Sequence, residues 1–492
     1  MSLINVTNLT FAYDGSYDNI FENVSFQIDT DWKLGFTGRN GRGKTTFLNL
    51  LLGKYEYSGH ISAQVNFDYF PFPVDNKELN TIDVISEIYP DYIHWKLMRE
   101  LSLLKVSEDV LYRPFGSLSN GEQTKVMLAI LFIKENSFLL IDEPTNHLDM
   151  TARKLVSEYL NHKSGYILVS HDRSFLDHCV DHILSINKTN IEIQKGNFSS
   201  WWENKARQDN FELAENEKLK RDIKRLSASS KRTGNWSHEV EKSKNGTRNS
   251  GSKLDKGYVG HKAAKMMKRS KAIEQRQNAA IQEKSKLLKN IEDSESLQIK
   301  PLIYHKQQIA ELDCISIFYG KRKVCEDISF SLEQGDRIAL SGINGSGKSS
   351  ILKLICGEEI NYTGTLIKDN QLIISYVSQD TSALHGNLTD YAREHGIDES
   401  LFKSILRKLD FSRIQFEKDI SSFSGGQKKK VLIAKSLSEK AHLYIWDEPL
   451  NFIDVISRMQ IEELLLEHSP TLLFVEHDQE FCSNVATKII EL

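Results

Sequence analysis

The stretch that decides the fold runs from Gly38 to Thr45 and reads Gly-Arg-Asn-Gly-Arg-Gly-Lys-Thr. A second copy from Gly342 to Ser349 reads Gly-Ile-Asn-Gly-Ser-Gly-Lys-Ser. Each copy follows an apolar run and precedes apolar residues at helical spacing, which is the strand, loop and helix context that this phosphate-loop pattern needs. Backbone N–H groups of such a loop wrap phosphate oxygens, and the helix N-terminus attracts negative charge. The chain is therefore predicted to hold two nucleotides.

The two loops predict a matched set of nucleotide contacts. Lys44 and Lys348 should reach the β and γ phosphates, while Thr45 and Ser349 should face a Mg²⁺ ion. The full set of predicted ATP contacts in the loops is Gly38, Asn40, Gly41, Gly43, Lys44, Thr45, Thr46, Gly342, Asn344, Gly345, Gly347, Lys348, Ser349 and Ser350.

Acidic pairs follow two apolar runs, again once in each half. Asp142 with Glu143 and Asp447 with Glu448 both stand before a proline. We expect Asp142 and Asp447 on the metal side, and Glu143 and Glu448 as the general bases that orient the attacking water. A later strand ends in His171 in one half and His477 in the other, and both histidines are predicted to contact the γ-phosphate.

A third repeated pattern resembles the signature of the ATP-binding cassette (ABC) superfamily. It comprises Ser119, Gly121 and Glu122 in one half, and Ser424, Gly425, Gly426 and Gln427 in the other. In ABC proteins the signature caps the ATP that the opposite cassette holds, so the resemblance implies two nucleotides sandwiched between head-to-tail cassettes. It also implies that Tyr13 and Tyr319 stack on adenine.

The two halves differ at one important position. After the strand at Tyr69, Phe72 stands where ABC proteins usually have a glutamine that touches Mg²⁺ and water, whereas the second half keeps Gln379. The first signature also has Asn120 where the second has Gly425. Because each half keeps its catalytic glutamate, both sites should hydrolyse ATP. Because the other residues differ, they should do so at different rates.

Composition limits the remaining possibilities. The chain has 492 residues with a net charge of −4, and it contains no apolar run near the roughly 20 residues of a membrane span. No secretory signal is evident at the start, and the five cysteines show no metal-like spacing. These features predict a cytoplasmic protein with reduced thiols.

The middle of the chain is strongly basic. Residues 218–276 hold 18 Lys and Arg against 5 Asp and Glu, a net of +13, so all the other residues sum to −17. We expect an antiparallel helical hairpin whose extended tip, about residues 230–260, meets a polyanion. Trp236, Lys253 and Tyr258 are the tip residues expected to touch nucleic-acid bases or a bound ligand.

Tandem cassettes with a basic helical linker resemble the ABC-F ATPases, and the match covers nearly the whole chain. The run from Glu143 to Asp149 is typical of that family. The resemblance implies binding to the 70S ribosome near the tRNA exit site, with the linker reaching P-site tRNA and 23S rRNA. The altered run from Glu448 to Asp454 and the long tip favour the antibiotic-resistance branch of Lsa/Vga type, which implies protection against lincosamides, streptogramin A compounds and pleuromutilins.

The predicted fold class is α/β, with two ABC-type P-loop ATPase domains in tandem at residues 1–198 and 306–492. A basic helical hairpin linker at 199–305 joins them. ATP and Mg²⁺ are the expected cofactors. Because both composite sites can form within one chain, we expect a ribosome-associated monomer with no membrane partner. The alternatives are a housekeeping ABC-F translation factor, the soluble ATPase of an exporter, and a DNA-maintenance ATPase, whose linker would normally be far longer.

Overall fold

The computed structural model describes residues 2–13, 19–146, 148–187, 190–242, 297–320, 322–343 and 345–492, together with 265, 268, 271–272 and 275–276. The chain forms two compact units. One unit contains Met1–Trp201 and Ser294–Leu492, and the other contains Trp202–Asp293. The first unit holds two ATPase domains, which we call the first cassette (residues 2–198) and the second cassette (residues 297–492).

The first cassette has a six-stranded sheet beside a three-stranded antiparallel sheet. The strands of the first cassette are β1 (Leu3–Phe11), β2 (Phe21–Asp29), β3 (Lys33–Thr37), β4 (Ser58–Ser62), β5 (Asn66–Phe70), β6 (Ser137–Asp142), β7 (Tyr166–Val169), β8 (His182–Asn187) and β9 (Asn190–Lys195). In the six-stranded sheet the strand order is β5-β6-β7-β3-β8-β9, and only β9 runs antiparallel to its neighbour. The helices of this cassette are α1 (Lys44–Leu51), α2 (Thr81–Ile88), α3 (His94–Leu103), α4 (Asn120–Ile133), α5 (Met150–Asn161) and α6 (Arg173–Cys179).

The second cassette repeats this plan with strands β10 (Gln308–Tyr319), β11 (Arg322–Glu333), β12 (Arg337–Ser341), β13 (Asn361–Lys368), β14 (Ile374–Val377), β15 (Leu443–Asp447), β16 (Leu472–Val475) and β17 (Lys488–Glu491). They form a five-stranded parallel sheet in the order β14-β15-β16-β12-β17 and an antiparallel sheet in the order β11-β10-β13. The helices of this cassette, numbered after the linker helix α7 (Phe198–Lys242), are α8 (Lys348–Cys356), α9 (Leu388–Glu394), α10 (Glu399–Lys408), α11 (Gly425–Ser438), α12 (Val455–His468) and α13 (Gln479–Val485).

The central strands are apolar because both faces of each parallel sheet are covered. β7 and β16 are buried at every residue, and β6 is buried from Phe138 to Ile141. Because the central strands are parallel, their carboxyl ends lie at one edge of the sheet. Ligands of open α/β sheets bind at that edge, and it is where the acidic pairs and the histidines follow the strands.

The linker helix corrects one expectation about the tip. α7 continues through Thr233, Gly234 and Trp236 to Lys242, where the sequence predicted a loop from about residue 230. A single glycine costs a helix only about 1 kcal/mol, and no proline interrupts this stretch. Lys253 and Tyr258 lie outside the described residues.

The other end of the predicted linker packs with the second cassette. Leu297 and Ile299 join the core around Trp446, and Tyr304 joins the core around β12. Residues 297–305 therefore contribute to the ATPase fold, although the sequence had assigned them to the linker.

Candidate functional site: two composite nucleotide cavities

Both phosphate loops have the geometry of an anion cradle. Each helix that follows begins after a glycine in the left-handed region, Gly43 at φ 98° and Gly347 at φ 95°. The lysine that follows each glycine folds back over its loop: Lys44 Nζ donates to the carbonyl of Gly38 at 2.7 Å, and Lys348 Nζ to that of Gly342 at 2.9 Å. Burial lowers the pKa of both lysines. A phosphate group in the loop would add negative charge beside each of these buried ammonium groups.

The first phosphate loop faces the second signature across a cavity of about 820 Å³, which we call site one. The predicted site residues that line it are Tyr13, Asn40, Gly41, Gly43, Lys44, Thr45, Thr46, Asp142, Glu143, His171, Ser424, Gly425 and Gly426. Gly38 is not among the lining residues.

The second loop faces the first signature across a cavity of about 790 Å³, which we call site two. The predicted residues that line it are Ser119, Gly121, Gly345, Gly347, Lys348, Ser349, Ser350, Gln379, Glu448 and His477. Gly342, Tyr319 and Asp447 do not line this cavity, and Asn344 lies outside the described residues. In both cavities a phosphate loop faces the signature of the other cassette, and the binding of a nucleotide between them stays a prediction.

Each signature serine begins a helix with a reciprocal cap. Ser119 accepts a hydrogen bond from the backbone of Glu122, whose side chain accepts one from the backbone of Ser119. Ser424 and Gln427 repeat this capping box at the start of α11. The first turns of both helices line the cavities together with the opposite phosphate loops, and the cap fixes the backbone of each turn.

The catalytic candidates meet in pairs. His171 Nε2 lies 3.3 Å from Glu143 Oε1, and His477 Nε2 lies 3.4 Å from Glu448 Oε1. Both glutamates adopt a positive φ, 50° for Glu143 and 47° for Glu448, which is uncommon outside glycine. Strained backbone of this kind clusters at functional sites.

The environments of the two glutamates differ. Burial, reinforced by the charge of Asp142, raises the pKa of Glu143 to about 8. Burial also acts on Glu448, but the contacts with His477 and Gln379 outweigh it and hold its pKa below the usual value. Gln379 Nε2 donates to Glu448 Oε2 at 2.8 Å, an interaction that Phe72 cannot offer at site one. The expected inequality of the two sites therefore has a structural basis.

The metal-side acids stand beside hydroxyl groups. Thr45 Oγ1 donates to Asp142 Oδ2 at 3.3 Å, and Ser349 Oγ donates to Asp447 Oδ1 at 3.0 Å. A carboxylate beside a hydroxyl is a hard oxygen donor set that suits Mg²⁺, which binds through one or two carboxylates and the substrate phosphates. Burial raises the pKa of Asp142, and it raises the pKa of Asp447 to about 6. The residues present fit the ion.

The sequence reasoning missed two contacts. Tyr69 donates from its hydroxyl to Asp142 Oδ2 at 2.9 Å, and Asn451 donates from Nδ2 to Glu448 Oε2 at 2.6 Å. The position of Tyr69 in the strand next to β6 was a usable signal, since neighbouring parallel strands bring their ends together.

The predicted adenine contacts are only partly placed. Tyr13 packs edge-on against Phe11 and Tyr55 and lines site one, with its hydroxyl 2.7 Å from Thr46 Oγ1. The hydroxyl of Tyr319 lies 3.3 Å from Ser350 Oγ. Stacking on adenine stays a prediction for both.

Within the part of the chain that the structure describes, none of the helices combines the length and the apolar character that a bilayer crossing requires.

The family model described as ABC transporter matches residues 21–146 and 325–451, just over half of the chain. The chain is 27% identical to the ATP-binding protein Uup of Buchnera aphidicola from Acyrthosiphon pisum, over 99% of this chain and 80% of that protein. It is 28% identical to the ribosome protection protein VmlR of Bacillus subtilis, over 97% of this chain and 84% of that protein.

A solved complex of the archaeal ribosomal stalk protein aP1 with the archaeal ribosome recycling factor aABCE1 shares the fold. Its TM-score is 0.63 at 17% identity, and the match covers 98% of this chain and 87% of that one.

The chain belongs to the ATP-binding cassette family. It is an ATPase with two cassettes in tandem.

Proposed function

We propose that this tandem-cassette ATPase belongs to the ABC-F branch, binds the ribosome and protects it from antibiotics at the peptidyl-transferase centre. The observation that carries the proposal is that one chain combines two composite nucleotide cavities with a long helix, α7, that runs into the basic segment 218–276. A relative described as a ribosome protection protein, aligned over 97% of the chain, supports it.

The linker helix is long. α7 contains 45 residues, which span about 68 Å at 1.5 Å per residue. Lys218, Lys220 and Lys224 are exposed along it. Phosphate contacts made by such side chains dominate the affinity for RNA and are lost as salt is added. We propose that the segment between the two cassettes acts as a linker whose tip, including Trp236, Lys253 and Tyr258, approaches tRNA, rRNA or the drug.

The nucleotide sites supply the switch. ATP would bridge a phosphate loop and the opposite signature, so binding favours the closed cassettes. We propose that Lys44 and Lys348 hold the phosphates, that Glu143 and Glu448 orient the attacking water, and that the two histidines hold those glutamates. Mg²⁺ held by Thr45 with Asp142, and by Ser349, Gln379 and Asp447, would neutralise phosphate charge. Hydrolysis removes the bridge and releases the protein from the ribosome.

The identity of the drugs is the finer part of the proposal. Lincosamides, streptogramin A compounds and pleuromutilins are the classes that the resemblance implies. The protein would act as a monomer in the cytoplasm, where the ribosomes are. A host that expresses it should survive higher doses of these drugs, whereas unchanged susceptibility together with ribosome binding would indicate a housekeeping translation factor.

The decisive experiment is sedimentation with 70S ribosomes. Changing Glu143 and Glu448 together to glutamine keeps the shape of the sites but removes the general bases, so the variant should bind ATP and stay on ribosomes. The matched control changes Lys44 and Lys348 to alanine, which removes the phosphate contacts and should abolish the ATP dependence.

ATP-dependent sedimentation of the glutamine variant, and not of the alanine variant, would support the proposal. Failure of the glutamine variant to sediment with ribosomes, with or without ATP, would refute ribosome binding. The next test would then be sedimentation with membranes, as for an exporter ATPase.

A further inference from the structure

Two arginines of the first phosphate loop reach into the second cassette. Arg39 Nη1 lies 3.7 Å from Asp410 Oδ1, and Arg42 Nη2 lies 3.5 Å from the same oxygen. Arg39 is buried, with 7% of its surface exposed, and the Asp410 side chain is 25% exposed. Asp410 follows α10, just beyond the cavity of site one. One carboxylate therefore joins two cations of the opposite phosphate loop.

A neutral contact beside this cluster joins the same two segments. Asn40 Nδ2 donates to the carbonyl oxygen of Phe452 at 2.8 Å. The fit is tight, because a Cβ added to Gly426 would stand 2.3 Å from that oxygen and 3.2 Å from Asn40 Nδ2. The first phosphate loop thus contacts the second cassette through the Asn40 side chain as well as through the two arginines.

The equivalent positions of the second phosphate loop lack these charges. Ile343 and Ser346 stand where the first loop has Arg39 and Arg42. Lys105 stands where the second cassette has Asp410, since each residue follows its helix by two positions and adopts a positive φ, 51° for Lys105 and 67° for Asp410. An ion cluster of this kind cannot form at site two.

We propose that Arg39, Arg42 and Asp410 form a latch that keeps site one assembled without nucleotide, so that site two is the site that opens and closes. Asp410 and the two arginines are positioning residues for ATP binding at site one. This inference rests on the ATPase sites and not on the proposed ribosome binding, so either can fail without the other.

The strength of the latch follows from its burial. Isolated surface ion pairs contribute about 0–1 kcal/mol. Here two cations share one acceptor, and one of the cations is almost fully buried. Removing the shared carboxylate takes one negative charge from both arginines, and because Arg39 is buried, this costs more than losing a solvated pair.

The first test compares amide hydrogen exchange in the two phosphate loops of the nucleotide-free protein. The variant is Asp410→Asn, and its matched control is Lys105→Asn. Asparagine tolerates the left-handed backbone of both positions. Amides of residues 38–45 should exchange about tenfold faster in Asp410→Asn, while those of 342–349 should not change. Lys105→Asn should leave both loops as in the wild type.

The second test measures the affinity of a fluorescent ATP analogue at each site separately. Lys348→Ala leaves site one as the working site, and Lys44→Ala leaves site two. Asp410→Asn should weaken analogue binding about tenfold in the Lys348→Ala background and less than twofold in the Lys44→Ala background. Because part of the cluster is exposed to salt, the effect should be smaller in 0.5 M NaCl, a dependence that a packing defect would not show.

Equal changes at both sites, or no change at site one, would overturn the latch. If Asp410→Asn does not fold, as judged by its thermal transition, Arg42→Gln takes its place and must show the same loss confined to site one. A loss at site two alone would also overturn the proposal.

Discussion

Replacing Arg173 by methionine should loosen the contact between the cassettes. Arg173, at the start of α6, donates from Nη2 to Glu462 Oε2 at 2.5 Å in the second cassette, and its Nε lies 3.5 Å from Glu480 Oε2. Arg173 is 5% exposed and Glu462 is 8% exposed. Methionine fills a similar length but leaves the Glu462 charge without its partner.

The size of the effect follows from these contacts. Breaking a fully buried ion pair costs about 3–5 kcal/mol, and a hydrogen bond to a charged group contributes about 1.5–3 kcal/mol. The side chain of Glu480 is 39% exposed and lines a cavity of about 670 Å³, so water can reach that part of the cluster. We therefore expect the free energy of unfolding to fall by about 2 kcal/mol. For a cassette of roughly 200 residues, this lowers Tm by about 4–8 °C.

The assay is thermal unfolding of a double-mutant cycle. Arg173→Met and Glu462→Gln should each destabilise, and the double variant should lose less than their sum because neither charge is then left alone. The matched control is Gln479→Met at the position equivalent to Arg173 in the second cassette, which should shift Tm by less than 2 °C. Additive losses in the double variant, or a control as damaging as Arg173→Met, would refute the reasoning.

Three further predictions concern single side chains. Hydrogen bonds from Lys163 and its neighbours outweigh burial and hold the pKa of Glu100 below its usual value. The carboxylate therefore stabilises the fold above about pH 4.5, and this stabilisation is lost as the pH falls. Glu100→Gln should flatten the acid side of a pH–stability curve, and an unchanged curve would contradict this prediction. Gln379→Ala should slow single-turnover ATP hydrolysis about tenfold at site two, whereas Phe72→Ala should leave that site unaffected. Gly426→Ala places a Cβ 2.3 Å from the backbone carbonyl oxygen of Phe452 and should cut ATP turnover at site one about tenfold relative to the wild type.

Local motifs carried most of what the sequence could establish. The phosphate loops, the acidic pairs and the signatures each occupy a few consecutive residues, and their backbone requirements are written in glycines and capping residues. The structure brings these residues together at two cavities because parallel strands end at one sheet edge. The same reasoning explains why Tyr69 was missed: its contact with Asp142 depends on which strands are neighbours.

Longer-range features were not accessible in this way. The sequence placed the start of the tip in a stretch that α7 includes, because weak breakers such as Gly234 do not decide the end of a helix whose other residues favour it. The linker assignment of residues 297–305 failed for a related reason, since composition does not show on which core Leu297 and Ile299 pack.

The sequence by itself determined that this chain is a pair of nucleotide-binding cassettes with a basic segment between them, because local backbone chemistry and charge suffice for that. Only the tertiary structure decided which residues of one cassette meet residues of the other. Arg39 and Asp410 are far apart in the chain, as are Arg173 and Glu462, and their meeting depends on how two folded domains pack. Interactions of this kind leave no periodicity or motif in the sequence, since each partner is an ordinary charged residue until the fold places it beside the other.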